Sequence, residues 1–249
     1  MLVDRPIVLS IAGLDPSAGA GLLADIKTFE QHKVYGLGIC TAQTLQTESE
    51  FLSIRWEKVN DIVTAIEKML MHYQVRAVKV GIVESLSVLK KIVSTVYSAD
   101  REIKIIVDPI VASTTGYTFW REAANAEELE NILSKVYLLT PNYNEMSALR
   151  PGEEKESAKE LSRFCNVLLK GGHNMEEPAI DHLFVKGEAE RIVPEGVTVH
   201  RKHGSGCILS SAIAANLAQG FDLISSCRLA KNYIERFLNS NDSLLGYHC

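Results

Sequence analysis

No stretch of this sequence approaches the roughly 18 consecutive apolar residues of a membrane-spanning helix, so no membrane association is expected. Basic residues are in deficit: 26 Lys and Arg stand against 31 Asp and Glu, a formal net charge of -5. A chain without a basic surplus lacks the usual means of gripping a phosphate backbone, and nucleic acid is not an expected partner. The five cysteines, Cys40, Cys165, Cys207, Cys227 and Cys249, include no C-x-x-C pair. That spacing suits neither a disulfide framework nor a zinc site, and reduced thiols in a cytoplasmic protein are the expectation. The first residues, MLVDRPIVLSIAGLDPS, set an acid and a proline ahead of a short apolar run, unlike a secretory leader. Linkers, repeats and low-complexity segments are lacking too, so residues 1–249 are expected to form one domain.

What is present is a hydrophobic content of 46%, enough for a full core at 249 residues. It falls into short β-rich runs that alternate with longer helical patterns. The expected strands are IVLSIAG (7–13), GLGICTA (36–42), AVKVGIV (77–83), KIIVDPI (104–110), VYLLTPN (136–142) and NVLLKGG (166–172). Between them, GLLADIKTFEQHKV, VNDIVTAIEKMLMHY, SLSVLKKIVSTVY and KESAKELSRF carry apolar residues at i, i+3, i+4 spacing. The alternation predicts an α/β fold with a central, mostly parallel sheet and helices on both faces. DHLFVKGEAERIV (181–193) reads as an edge hairpin turning at Lys186-Gly187-Glu188.

In such a sheet, ligands bind beyond the C-terminal ends of the strands. Polar and turn residues gather at those ends: Gly13 to Pro16, Gln43 to Gln46, Gly81, Asp108-Pro109, Thr140 to Asn142, and Lys170 to His173. Near the end of the chain, HGSGCILSSAIAANLAQG (203–220) adds a helix start of a particular kind. A helix beginning near Gly206 or Cys207 would offer unpartnered N–H groups and the positive end of its dipole to an anion. Gly204 and Gly206 let a phosphate approach the backbone, and Ser205 adds a hydroxyl. The plainer alternative is a turn with Ser205 as N-cap. Cys207 at this terminus is expected to have a depressed pKa and to act as a base toward a substrate hydroxyl, or else to be a small buried hydrophobe.

Two further motifs admit two readings each. Gly19-Ala20-Gly21-Leu22-Leu23-Ala24 matches the relaxed dinucleotide fingerprint G-x-G-x-x-A, yet Asp15-Pro16 separates it from the strand and the second strand ends in no acid. These glycines serve equally well to bring a small ligand close to backbone. In TPNYNE (140–145), Asn142 and Glu145 have a spacing that would orient waters on Mg²⁺, or would simply stabilise a helix N-terminus. Asp108 would hold a second position on the metal or merely end a strand.

Taken in order, AGLDPSAGAGLLADIKTF, YGLGICTAQTLQT, KVGI, VDPIV, LLTPNYNE, LLKGGH and HGSGC resemble the hydroxymethylpyrimidine/phosphomethylpyrimidine kinases of thiamine biosynthesis, a ribokinase-like branch. The resemblance covers nearly the whole chain. It implies ATP and Mg²⁺ as cofactors, an aminopyrimidine substrate and a homodimer. HGSGC stands for the family's HGTGC anion hole, making Gly204, Ser205, Gly206 and Cys207 the catalytic group. Gln46 takes the place of the glutamine that meets the aminopyrimidine, where a carboxamide both accepts from an amine and donates to a ring nitrogen. Asp25, Gly13, Thr44, Ile82 and Ile110 match positions of the pyrimidine pocket, Asn142 and Glu145 match the family's N-x-x-E metal-site motif, and Lys170 falls with Asn142 on the nucleotide side.

The sequence also departs from its relatives. Thr44 and Ile82 stand where relatives often have Val and Met, ASTTGY (112–117) lacks a lysine common in that loop, and SLLGYHC ends short of a GHGPV-like tail. Two other readings compete. One is a pyridoxal or pyridoxine kinase of the same fold; the other is a non-catalytic pyrimidine-binding protein, which would have no need of phosphate and metal sites.

Overall fold

The run IVLSIAGL forms β1 (Ile7–Leu14), and β2 (Tyr35–Gln46) and β4 (Val75–Val80) pair with it in parallel on either side. This computed structural model describes residues 5–112, 118–119, 125–173, 177–196 and 200–248; most of ASTTGY, and Cys249, lie outside them. The parallel series continues through β5 (Lys104–Val107), β6 (Leu138–Leu139) and β7 (Asn166–Leu169). Antiparallel strands close both edges, β3 (Phe51–Trp56) beside β2, and β8 (Asp181–Val185) with β9 (Glu188–Ile192) beyond β7. The order is β3-β2-β1-β4-β5-β6-β7-β8-β9.

Alternating side chains serve two cores, as strand geometry requires. Leu9, Val78, Ile105, Leu139 and Val167 face one core with α2 (Val59–His72), α3 (Leu86–Ala99), α4 (Ala126–Leu133), α5 (Tyr143–Leu149) and α6 (Glu154–Leu161). Their neighbours Val8, Ala77, Ile106, Leu138 and Leu168 face the other, with α1 (Gly21–Gln31), α7 (Ser205–Ala218) and α8 (Leu223–Leu238). Helix α7 packs against the sheet, α1 and α8 together, so it is apolar all round and buried from Cys207 to Ala218. Three of its buried polar side chains are engaged: Ser210 with Asp108, Ser211 with Asp25, and Asn216 with the Ser226 carbonyl.

Three local expectations need revision. Strand β2 runs four residues past Ala42, because β3 folds back and pairs with its polar end. The hairpin turn holds two residues, Lys186 (φ 50°) and Gly187 (φ 88°), and Glu188 already belongs to β9; both positive φ values suit the tight turn of a twisted hairpin. Helix α7 starts at Ser205, and its N-cap is Gly204 in the left-handed region (φ 75°), not a serine.

Candidate active site

A cleft of about 590 Å³ opens along the C-terminal ends of the parallel strands. At its centre is the start of α7. Gly204 has a positive φ, and a Cβ there would collide with the carbonyl oxygen of Gly19, so no other residue fits this cap. The loop before α1 is thereby pressed against the loop before α7. Gly204, Ser205, Gly206 and Cys207 all line the cleft, with first-turn N–H groups that have no carbonyl four residues back. The terminus thus presents donors and a positive dipole end to an anion.

The thiol there behaves contrary to expectation. Burial pushes Cys207 up to about 11, and the carboxylates of Asp108 and Asp25 push the same way; Lys79 and the Gly21 N–H only partly offset them. A helix N-terminus depresses a thiol that keeps some solvent, whereas this one is enclosed.

Beside α7 lies a compact charged group. Lys170, just after β7, places Nζ 2.7 Å from Asp108 Oδ1 and 3.5 Å from Glu145 Oε2. Asp108 follows β5 and takes further hydrogen bonds from Ser210 Oγ (3.1 Å) and Thr140 Oγ1 (3.2 Å). Burial alone would raise its carboxyl, but Lys170 and Lys79 outweigh this and hold it below the usual range. Glu145 is raised by burial, with Lys170 countering only in part. Asn142 and Glu145 form a reciprocal capping box on α5: Asn142 Oδ1 accepts from the Glu145 N–H at 2.9 Å, and Glu145 Oε2 from the Asn142 N–H at 2.7 Å. The structural reading of N-x-x-E is therefore present, and both residues also line the cleft.

Toward β1, β2 and β3 the cleft is lined by Gly13, Thr44, Gln46, Ile82 and Ile110. The period of two along β2 turns Thr44 and Gln46 inward together. Thr44 Oγ1 is occupied by the Leu14 carbonyl at 2.9 Å, which leaves Gln46 as the adaptable polar group of this end. Asp25, by contrast, is not on the wall. It is fully buried behind it, holding Lys79 Nζ at 2.9 and 3.0 Å and accepting from Ser10 and Ser211. In place of a position on the wall, Asp25 has a sealed ion pair, whose lysine lines the cleft.

These features converge with likeness to known proteins. The sequence profile of the phosphomethylpyrimidine kinases matches residues 15–248. The chain belongs to the phosphomethylpyrimidine kinase family. It is 32% identical over 248 residues to a hydroxymethylpyrimidine/phosphomethylpyrimidine kinase of Rhizobium meliloti, covering 96% of this chain and 92% of that protein. It spans about half the length of some other relatives, 45% of one from Saccharomyces cerevisiae. Among solved structures, the phosphomethylpyrimidine kinase of Clostridium difficile is similar at 30% identity and a TM-score of 0.77, covering 92% of this chain and 98% of that one. The ADP complex of Bacillus subtilis pyridoxal kinase is similar at 25% identity and a TM-score of 0.80, covering 94% and 91%. The fold is ribokinase-like.

For a member of this phosphomethylpyrimidine kinase family, sequence reasoning missed several residues of the cleft. Phe51 and Phe119 wall the end of the cleft near β2 and β3, their rings 5.6 Å apart edge to face, and Trp56 meets Phe119 at 6.2 Å. Asp15 and His203 pair at 2.8 Å on the wall near α7. At the far end Lys231 pairs with Asp181 at 2.8 Å beside Glu235. Lys79 had a readable signal: a lysine inside the apolar run AVKVGIV stays buried only if it is paired.

Proposed function

We infer that this protein is an ATP-dependent phosphotransferase. It phosphorylates 4-amino-5-hydroxymethyl-2-methylpyrimidine and then its monophosphate, giving the diphosphate used in thiamine biosynthesis. The observation that carries the reading is one cleft holding both Gln46, suited to an aminopyrimidine edge, and the anion-receiving start of α7. ATP use accords with the ADP-bound relative of the same fold.

In this reading Gln46 and the apolar wall of Gly13, Ile82 and Ile110 orient the ring, so that its hydroxymethyl oxygen lies in line with the terminal phosphate. The N–H groups at Gly204 to Cys207 and the ammonium of Lys170 steady charge on the transferring group. Cys207 keeps its proton in the free protein, so it is not a preformed thiolate: as a relay it accepts the departing hydroxyl proton while its own S–H proton passes to an oxygen of the transferred phosphoryl group. A loose transition state makes this sufficient, because positioning and electrostatics dominate phosphoryl transfer.

Mg²⁺ fits the donor set. Asp108 and Glu145 supply carboxylate oxygens on the cleft wall, while no group of three or more His, Cys, Asp or Glu suited to a metal occurs among the described residues. Few protein ligands and several waters are the habit of this ion, which when bound would neutralise phosphate charge. A homodimer is supported by the exposed Leu45 and Leu52 on the β2–β3 edge hairpin, and a cytoplasmic setting by the free thiols of Cys40, Cys165, Cys207 and Cys227.

A second reading, pyridoxal phosphorylation, draws on the fold shared with the Bacillus subtilis enzyme. Incubation with ATP, Mg²⁺ and the hydroxymethylpyrimidine, followed by mass analysis, tests the first reading. Mono- and diphosphate products support it, and their absence overturns it.

A further inference from the structure

His203 sits immediately before the cap of α7, on the wall of the cleft, with only 9% of its surface exposed. Its position is fixed from several sides. Nε2 pairs with Asp15 Oδ2 at 2.8 Å, its backbone N–H donates to the Leu244 carbonyl at 2.9 Å, and Gly19 lies so near the ring that a Cβ would clash. Asp15 is itself locked by the N–H groups of Ser17 and Ala20 and by the Ser17 hydroxyl. Yet Nδ1 of His203 is buried without any hydrogen-bond partner, alone in this among the buried side-chain atoms of the described residues. An unsatisfied buried nitrogen costs stability and is retained where it has a use. A carboxylate holding one imidazole nitrogen leaves the other ready for a ligand.

We propose that His203 is a catalytic residue of the phosphoryl transfer, donating from Nδ1 to an oxygen of the phosphate gathered at the start of α7 while Asp15 holds Nε2–H. The ring then bridges the phosphate and the Asp15 carboxylate, with one nitrogen directed at each. Burial alone would raise Asp15, but the bonds from His203 and Ser17 outweigh it and keep it ionised. The proposal rests on the kinase reading for what the phosphate belongs to.

Two amide substitutions separate a phosphate contact from a structural tie. In His203→Gln the amide nitrogen reaches the place of Nε2 and keeps Asp15, with nothing at Nδ1. In His203→Asn the amide lies near Nδ1 and Asp15 is released. The Gln variant is expected to melt like the wild type, to lose about 10²-fold in kcat, the loss for one oxyanion donor, and to bind AMP-PCP about tenfold more weakly with adenosine binding unchanged. The Asn variant is expected to melt earlier but to bind AMP-PCP within about threefold of the wild type.

Unchanged kinetics and AMP-PCP affinity in the Gln variant would overturn the proposal, as would an equal loss for adenosine. If the Gln variant does not fold, the Asn variant decides, and a tenfold loss of AMP-PCP there with adenosine retained overturns it. A wild type that binds AMP-PCP but phosphorylates no pyrimidine refutes the substrate reading, while the AMP-PCP and adenosine comparison still judges His203.

Discussion

Asp25 and Lys79 form a closed ion pair beneath α7: Nζ lies 2.9 and 3.0 Å from the two carboxylate oxygens, and neither side chain is exposed. Ser211, one turn past Cys207 on α7, donates to the same carboxylate at 2.6 Å, and Ser10 of β1 donates to it as well. The pair therefore ties α1, β1, β4 and α7 together under the N-terminus of α7. Burial alone would lower the Lys79 ammonium, but Asp25 outweighs it and holds it charged.

Asp25→Leu, which leaves a buried ammonium unpaired, is expected to cost about 3–5 kcal/mol in urea unfolding. A variant of wild-type stability whose only defect is a raised KM for the pyrimidine would show Asp25 to be a substrate ligand instead.

Cys207 gives a prediction of reactivity. With its thiol near 11, it should alkylate far more slowly with iodoacetamide at pH 8 than an exposed cysteine. Cys207→Ala should lower kcat on the order of 10²-fold, the lower end for a group assisting proton transfer. Rapid alkylation of Cys207, or undiminished turnover by the Ala variant, would remove the thiol from the mechanism.

Gly204→Ala should abolish turnover, because the Cβ meets the Gly19 carbonyl and the backbone is already in the left-handed region. Phosphate-bearing ligands should be lost along with activity in a binding titration. A variant that retains AMP-PCP affinity would mean that the loop before α1 can move aside at little cost.

Stability should decline with acid through the C-terminal segment. His248 packs at a tilt against Phe237, ring centroids 5.0 Å apart, and its Nδ1 meets the Tyr233 hydroxyl at 2.9 Å; burial lowers it from 6.5 to about 4. The unfolded chain therefore binds this proton first as pH falls, and stability present above 6.5 is lost progressively toward 4. His32 and His182 are shifted in the same direction. In melting curves, His248→Gln should show a shallower fall of Tm between pH 6.5 and 4; an unchanged slope would contradict the assignment.

The architecture was legible because the apolar runs and their helical partners alternate without interruption, and the rim clusters fell where parallel strands end. Residues fixed by distant parts of the chain were not. His203 and Asp15 are 188 positions apart, and Asp25 and Lys79 54 apart, and nothing local in either pairing announces the contact. The raised Cys207 thiol was missed for a related reason. A helix terminus is visible in sequence, but the enclosure by the Asp108 and Asp25 segments that reverses its effect is not. The β2–β3 hairpin was hidden because its polar end, TLQTE, reads as a loop until β3 supplies the missing hydrogen bonds.

Gln46 ends β2 on the cleft wall, and under the proposed function it is the group that would distinguish an aminopyrimidine from pyridoxal. Gln46→Leu should lower kcat/KM for the pyrimidine about 10- to 100-fold, the cost of leaving its amine and ring nitrogen unpaired. Pyridoxal turnover should change little.

The most direct measurement is a competition: one vessel holding purified protein, ATP, Mg²⁺ and equal concentrations of the hydroxymethylpyrimidine and pyridoxal, with products followed by mass over time. Phosphorylated pyrimidine appearing first and proceeding to the diphosphate is the predicted result. Pyridoxal phosphate accumulating ahead of it would contradict the account.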